Sequence, residues 1–175
     1  MKVKLFLGFL VSIFFVIAIM TFDTATTVGK QKKQVPQVPS IEGTYKLVSR
    51  NLPDGKIQGP PDVMGLLTYT KNYRNFNVIW KDAKGKFFSI SLGSTYKLTA
   101  AEYSETNLFY IRNDQIGGRQ TVYDITGQTG TSPVMVKNGS VEFKLPLFKE
   151  PSVVFKGNKF TATTSDFVDT WEKVQ

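Results

Sequence analysis

Acid–base chemistry by carboxylates is left open by the composition of this chain, although the 175-residue sequence contains neither histidine nor cysteine. The missing histidine removes the usual general base near neutral pH, and the missing cysteine removes disulfides, thiol nucleophiles and thiolate metal sites. Serine–histidine hydrolysis, zinc catalysis by histidine ligands and haem ligation by histidine are therefore excluded by composition. We predict a protein that is not an enzyme and that holds no metal or cofactor.

Two pairs of acidic residues are three positions apart, Glu102 with Glu105 and Asp166 with Asp169. Paired carboxylates are the usual machinery of glycoside hydrolysis. On a β-strand, however, successive side chains alternate, so residues three apart point to opposite faces. Neither pair is therefore expected to converge on one substrate.

Aromatic side chains on the apolar sides of the predicted strands are better candidates for a site. A pocket walled by aromatic rings with a few polar groups suits a lipid-like or aromatic molecule. An arginine that points inward can pair with a ligand carboxylate in bidentate geometry; for Arg74 and Arg112 the alternative is a position in solvent. The predicted ligand-binding residues are Tyr69, Phe76, Trp80, Phe88, Tyr110, Arg112, Phe143 and Trp171.

The same aromatic side chains have a second interpretation. A barrel of eight strands is just wide enough to be filled by side chains or to hold one small ligand. Under this alternative the rings only fill a core. The residues predicted to face the interior are Phe76, Trp80, Phe88, Phe109, Phe143, Phe155, Phe160 and Trp171.

From Ile41 onward apolar and polar residues alternate with a period of two, which is typical of strands with one buried face. Turn-forming residues separate these segments; Asn138 and Gly139 predict a two-residue hairpin loop, and residues 127–133 a polar loop. Gly93 predicts a bulge or bend. The predicted extended segments, some of them parts of one strand, lie at 43–49, 64–70, 74–80, 88–92, 96–98, 103–112, 121–125, 134–136, 141–145, 152–155, 160–163 and 167–174.

This pattern favours an all-β fold. About 8–10 short strands at regular spacing are typical of an antiparallel up-and-down barrel or of a sandwich. We predict the barrel, with the sandwich as the alternative. In a barrel the first strand, at 43–49, and the last segment, at 169–174, lie side by side.

The N-terminal 22 residues have the layout of an export signal. A short basic start precedes an apolar run over residues 5–22, which is long for a signal peptide and close to the minimum of about 17–18 residues for a spanning helix. A cleaved signal peptide and a retained anchor helix both remain open. Both predict export to the periplasm, the cell surface or the medium, and the anchor predicts contact with a membrane.

Two further segments follow. Residues 23–40 are polar and contain prolines, which predicts a flexible linker, and residues 41–175 predict one domain.

The formal net charge is +8, of which residues 1–40 carry half through five lysines and one aspartate. The remaining lysines and arginines are scattered among the strands, which is unlike the clustered footprint of a nucleic-acid-binding protein. We predict no nucleic-acid partner.

Four segments resemble the lipocalin-like domain family. Residues 43–49 (GTYKLVS) are similar to its opening Gly-Thr-Trp-x-Leu-Val-Ser, with tyrosine where the family has tryptophan. Residues 65–70 (GLLTYT) resemble its second strand, and residues 96–99 and 103–106 resemble its middle hairpin. Residues 171–174 (WEKV) resemble its closing strand. The resemblance implies a calycin-type barrel with an internal cavity, but no particular activity, because a fold does not fix a function.

These observations together predict an exported, non-enzymatic, monomeric barrel that binds a small hydrophobic or amphipathic ligand. Its contact with a membrane is expected through the N-terminal segment. The alternative is a structural or interaction protein of the cell envelope, with a solid core and no small-molecule ligand.

Overall fold

The computed structural model describes residues 37–174, and all regular secondary structure in that range is β-strand. The predicted signal peptide or anchor at 1–22 lies outside the described residues, as does most of the predicted linker. The strands are β1 Gly43–Asn51, β2 Ile57–Gln58, β3 Val63–Tyr69, β4 Tyr73–Lys81, β5 Phe87–Leu98, β6 Glu102–Asp114, β7 Arg119–Asp124, β8 Thr129–Pro133, β9 Met135–Lys137, β10 Ser140–Lys144, β11 Ser152–Lys156, β12 Lys159–Thr163 and β13 Val168–Lys173.

One curled antiparallel sheet contains all thirteen strands, in the order β7-β6-β5-β4-β3-β1-β13-β12-β11-β10-β9, with β2 on β1 and β8 on β6. Nearly every strand pairs with its neighbour in sequence. β1 also pairs with β3, and β6 with β8. The longest-range pairing joins β1 to β13 and sets Tyr45 opposite Lys173 and Leu47 opposite Trp171. The prediction that the first and last segments of the domain lie side by side is confirmed.

The segment predicted as a polar loop is a strand, and that prediction was wrong. Thr129–Pro133 forms β8, which pairs antiparallel with the first half of β6. The next residues form β9, which pairs with β10, and between them the Val134 amide donates to the Ala101 carbonyl at 2.9 Å. Backbone pairing with neighbouring strands makes this segment extended even though it lacks alternating apolar residues.

Two local predictions are confirmed. Asn138 and Gly139 have φ values of 51° and 75°, and two successive positive φ angles are what a type I′ hairpin turn requires. The register between β5 and β6 shifts between Gly93 and Ser94, so β5 runs through the bulge as one strand.

The bulge also corrects the expected position of Phe109. Leu92 on the inner face is opposite Tyr110, and Phe109 is opposite Gly93. A Cβ on Gly93 would collide with the Phe109 ring, so that ring lies across the glycine on the outer face. Phe109 is therefore not one of the interior residues.

The inner face of the sheet packs around Trp171, which is 1% exposed. Its ring lies 5.8 Å from Phe160 and 5.9 Å from Phe76, measured between centroids. It also lies directly against Gly65 of β3. The indole therefore reaches from β13 past β1 to β3, so the middle of this inner face is filled.

Gly65 gives the first test of this packing. A Cβ at this position would lie 2.5 Å from Cη2 of Trp171 and 3.0 Å from the Asn77 carbonyl oxygen. We expect Gly65→Ala to lower the free energy of unfolding by about 1–3 kcal/mol, the usual cost of overpacking a core. In the control Gly59→Ala the added Cβ meets only the Val48 carbonyl oxygen, at 3.4 Å. Equal urea midpoints for the two variants would contradict the described packing.

Candidate functional site

Arg74 of β4 is the most unusual residue of the inner face, because its charged side chain is buried. The residue is 2% exposed, so the alternative that placed it in solvent was wrong. Its Nη1 donates to Glu105 Oε1 at 2.8 Å and to Glu150 Oε2 at 3.0 Å, and its Nη2 donates to Glu150 Oε1 at 3.0 Å. The guanidinium thus binds one carboxylate in bidentate geometry and a second one at its edge.

Glu105 is the fixed partner of Arg74. It lies on β6, is 1% exposed, and accepts hydrogen bonds from Ser94 Oγ at 2.5 Å and from Tyr103 Oη at 2.9 Å. Three donors from three strands therefore satisfy this carboxylate. A carboxylate with this many partners holds the guanidinium in place.

Glu150 is a partner of a different kind, because it lies on the loop that connects β10 to β11. In that loop Leu147 is buried, and the Phe148 ring stacks on Tyr110 with 4.1 Å between centroids. Phe148 and Lys149 have φ values of 51° and 57°. A left-handed backbone costs a non-glycine residue about 1–2 kcal/mol. The loop adopts this strained conformation while it places an aromatic ring and a carboxylate over the inner face.

Buried polar atoms without a hydrogen-bond partner surround the cluster. Within residues 37–174, Tyr69 Oη, Arg74 Nε and Asn107 Oδ1 have none. Tyr69 and Ser94 are each opposite Arg74 in register, and Asn107 is opposite Ser94. Buried polar groups are nearly always paired in proteins, by other protein groups or by ordered water. Arg112 Nε and Trp171 Nε1 are unpaired in the same range, and the three atoms above are the ones that lie closest in register to Arg74.

Burial changes the proton affinities in this cluster. It raises the pKa of the Tyr69 and Tyr103 hydroxyls, which therefore stay protonated and can donate. Burial also raises the pKa of Glu150, against the opposing effect of the Arg74 guanidinium. Burial lowers the pKa of Arg74, but Glu150 and Glu105 together raise it further, so the guanidinium stays charged.

The shift at Glu150 predicts a pH dependence of stability. Between its ordinary pKa and the raised one, the folded protein keeps a proton that the unfolded chain has released, so the free energy of unfolding falls as the pH rises through this range. We expect Glu150→Gln to flatten this slope. Asp169, whose pKa burial also raises, keeps its own contribution in both proteins. Urea unfolding at pH values from about 4 to 7 measures the slope; an unchanged slope in the variant would refute this assignment.

The predicted ligand-binding residues lie in three parts of the inner face. Tyr69, Phe143 and Trp171 are in the core at 1%, 5% and 1% exposure, with Phe76 half-buried against Trp171. Tyr110 lies beside the 145–151 loop. Half-buried Arg112 is opposite Ile90 in register. Of the eight residues, Tyr69 is therefore the one opposite Arg74 in register, and Tyr110 stacks on Phe148 of the loop that carries Glu150.

Trp80 and Phe88 form the third part, where their rings stack with 4.1 Å between centroids. The Arg50 guanidinium lies 4.5 Å from the centroid of Trp80 and 4.1 Å from that of Phe167. Its Nε and Nη2 donate to Asp169 at 2.7 and 2.8 Å. Sequence reasoning missed this buried ion pair, which lies at the end of the interior where β1 ends and β13 begins.

Pockets in the described part lie mainly outside this interior. A groove of about 600 Å³ follows the outer face of β3, β4 and β5, with exposed Met64 and Leu66 and half-buried Ile111 among its lining. None of the eight predicted ligand-binding residues lines it. Phe143 lines a smaller pocket of about 320 Å³ beside β9 and β10.

Comparisons with known proteins found no match: no protein-family model matches the chain, and no curated protein or solved structure is significantly similar to it. Among residues 37–174, no three histidine, cysteine, aspartate or glutamate side chains are grouped so that they could hold a metal ion. The described residues include no helix of the length and apolarity needed to cross a membrane.

Proposed function

We propose that this chain is an exported, non-enzymatic, lipocalin-like up-and-down β-barrel that binds a small amphipathic molecule with an acidic group. The acidic group binds Arg74, and the apolar part lies along Tyr110 and Phe76. Arg74 lies 5.4 Å from the Phe76 ring centroid, so a polar anchor and an apolar wall are adjacent on β4.

The observation that supports this proposal is the occupation of Arg74 by Glu150. Phe148 and Glu150, two residues apart on one loop, present an aromatic body and a carboxylate to the inner face. This pair has the chemistry of a small aromatic or aliphatic acid. A ligand of that class takes the place of the loop residues, and the loop strain at Phe148 and Lys149 is relieved when the loop leaves.

The experiment is a titration with an environment-sensitive fluorescent fatty acid and with its methyl ester. The acid should bind saturably and the ester at least about tenfold more weakly, because a charge-assisted hydrogen bond to arginine contributes about 1.5–3 kcal/mol. Mass spectrometry of the purified protein should find a co-purified acid. Equal affinity for acid and ester would refute Arg74 as the anchor, and absence of saturable binding would refute the ligand.

A second function is favoured by a different observation, the filled aromatic interior around Trp171. Rings of Tyr103, Phe143 and Phe155 stack in series, with centroids 4.3 and 5.9 Å apart. A solid domain of this kind would be a structural or interaction protein of the cell envelope. This alternative predicts that no small molecule raises the unfolding midpoint, whereas a ligand raises it by mass action.

Export is a separate part of the proposal and has its own measurement. Residues 1–22 serve as a signal peptide or as an anchor, and the domain acts outside the cytoplasm as a monomer. The protein should be found in the membrane or extracytoplasmic fraction, with its mass showing whether the segment is cleaved. A full-length, freely soluble, cytosolic product would refute export.

A further inference from the structure

One end of the sheet is rich in lysine. This is the end at which β1 begins and β13 ends. The antiparallel pairing places four hairpin turns at the same end, those of β3–β4, β5–β6, β9–β10 and β11–β12. Each of these four hairpins carries at least one exposed lysine. The exposed lysines of this surface, which we call the lysine end, are Lys71, Lys97, Lys137, Lys156 and Lys159.

These five lysines form no ion pair within the described domain, although Glu172 is opposite Lys159 in register. None of them has a carboxylate within 4.0 Å in the range 37–174, where the surface ion pairs lie elsewhere. Two exposed acids lie at this end: Glu42 immediately before β1, and Glu102 at the start of β6. At the opposite end, by contrast, Lys56 pairs with Asp54 at 3.2 Å and Lys81 pairs with Asp62 at 3.1 Å. The two ends therefore differ in how their lysines are paired with acids, not in how many lysines they carry.

Two large side chains add an apolar component to this end. Tyr73 beside the β3–β4 turn is 55% exposed, and Met135 at the start of β9 is 57% exposed. An aromatic ring with a polar tip next to lysines suits the headgroup region of a bilayer, where such rings are enriched. Nucleic acid, the other polyanion to consider, is usually met by arginine as well as lysine, and no exposed arginine lies at the turns of these hairpins.

We propose that the lysine end binds the surface of an anionic phospholipid bilayer. Lysines near such a surface each strengthen binding by about 1 kcal/mol, or about fivefold, and the attraction fades within a Debye length. This contact needs neither a ligand at Arg74 nor insertion of the N-terminal segment. It gives the domain a fixed orientation, with the lysine end against the lipid.

Site-specific fluorescence on the full-length protein tests this orientation. The sequence has no cysteine, so Asn72→Cys in the β3–β4 turn and Ala83→Cys in the β4–β5 turn each carry one labelling site. Each labelled protein is reconstituted in phosphatidylcholine vesicles, with or without phosphatidylglycerol, that contain a lipid-borne quencher. The probe at 72 should be quenched only in the anionic vesicles, and the probe at 83 in neither. Salt at about 1 M, where the Debye length is about 3 Å, should abolish the quenching.

Charge variants complete the test. Combining Lys71→Gln, Lys156→Gln and Lys159→Gln should lower the ratio of docked to undocked protein about a hundredfold, at about fivefold per lysine. The control replaces Lys56, Lys84 and Lys86 with Gln at the opposite end and should leave the ratio unchanged. Equal quenching of the two probes, or equal effects of the two triple variants, would overturn the proposal. So would displacement of the protein from anionic vesicles by an oligonucleotide that binds more tightly than the lipid.

Discussion

Replacing Arg74 with methionine is expected to lower the free energy of unfolding by about 3–5 kcal/mol, the cost of removing one partner from a buried ion pair. The substitution leaves Glu105 and Glu150 without their cation, and Glu105 is 1% exposed. The loss should grow as the pH rises, because an unpaired buried carboxylate is tolerated only while it is protonated. Urea unfolding at neutral and acidic pH measures both effects.

Arg112→Met is the matched control for this prediction. Arg112 is half-buried on β6, and no carboxylate lies within 4.0 Å of it in the described range, so its replacement should cost less than about 1 kcal/mol. Adding Glu105→Gln to the Arg74→Met protein should recover part of the loss, since a neutral amide is less costly to bury than an unpaired charge. Equal losses for the two arginines would contradict the buried cluster.

Replacing Trp171 with alanine is expected to cost about 3–5 kcal/mol, as for other large aromatic residues deleted from cores. The indole is 1% exposed and fills the space between β13 and Gly65. No nearby side chain can fill the cavity without breaking the aromatic contacts of Phe76 and Phe160. Thermal or urea unfolding measures the loss.

Trp80→Ala gives the comparison for Trp171. Trp80 is half-buried and stacks on Phe88, so less apolar area returns to water and we expect about half the loss. A cost below about 1 kcal/mol for Trp171→Ala would show that the ring does not pack a core. In that case it would be free to line a ligand pocket, as the sequence first suggested.

The strands and their order were accessible from the sequence because period-two alternation and turn residues report local geometry. Asn138-Gly139 and Gly93 each require a particular backbone, so their effects were predicted correctly. Residues 129–133 could not be predicted as a strand, since their pairing partner on β6 lies about 25 residues away and no apolar residue in them alternates. Long-range pairing of this kind leaves no local mark.

A bulge explains why the buried charge of Arg50 was missed. The register between β1 and β13 shifts between Leu47 and Ser49, so Arg50, which a strict alternation from Tyr45 would turn outward, points inward to Asp169. The partners of Arg74 come from β6 and from the 145–151 loop, 31 and 76 residues away. Only the fold brings these residues together, and neither composition nor spacing identifies Glu150 as a partner of Arg74.

The most direct measurement of the proposed function compares fluorescent fatty-acid binding by the native protein, Glu150→Ala and Lys149→Ala. If Glu150 occupies the place of a ligand carboxylate, its removal frees Arg74 and should tighten binding about tenfold or more. Lys149→Ala alters the same loop but leaves Glu150 in place, and should bind like the native protein. Weaker binding by Glu150→Ala, or no saturable binding by any of the three proteins, would contradict the account.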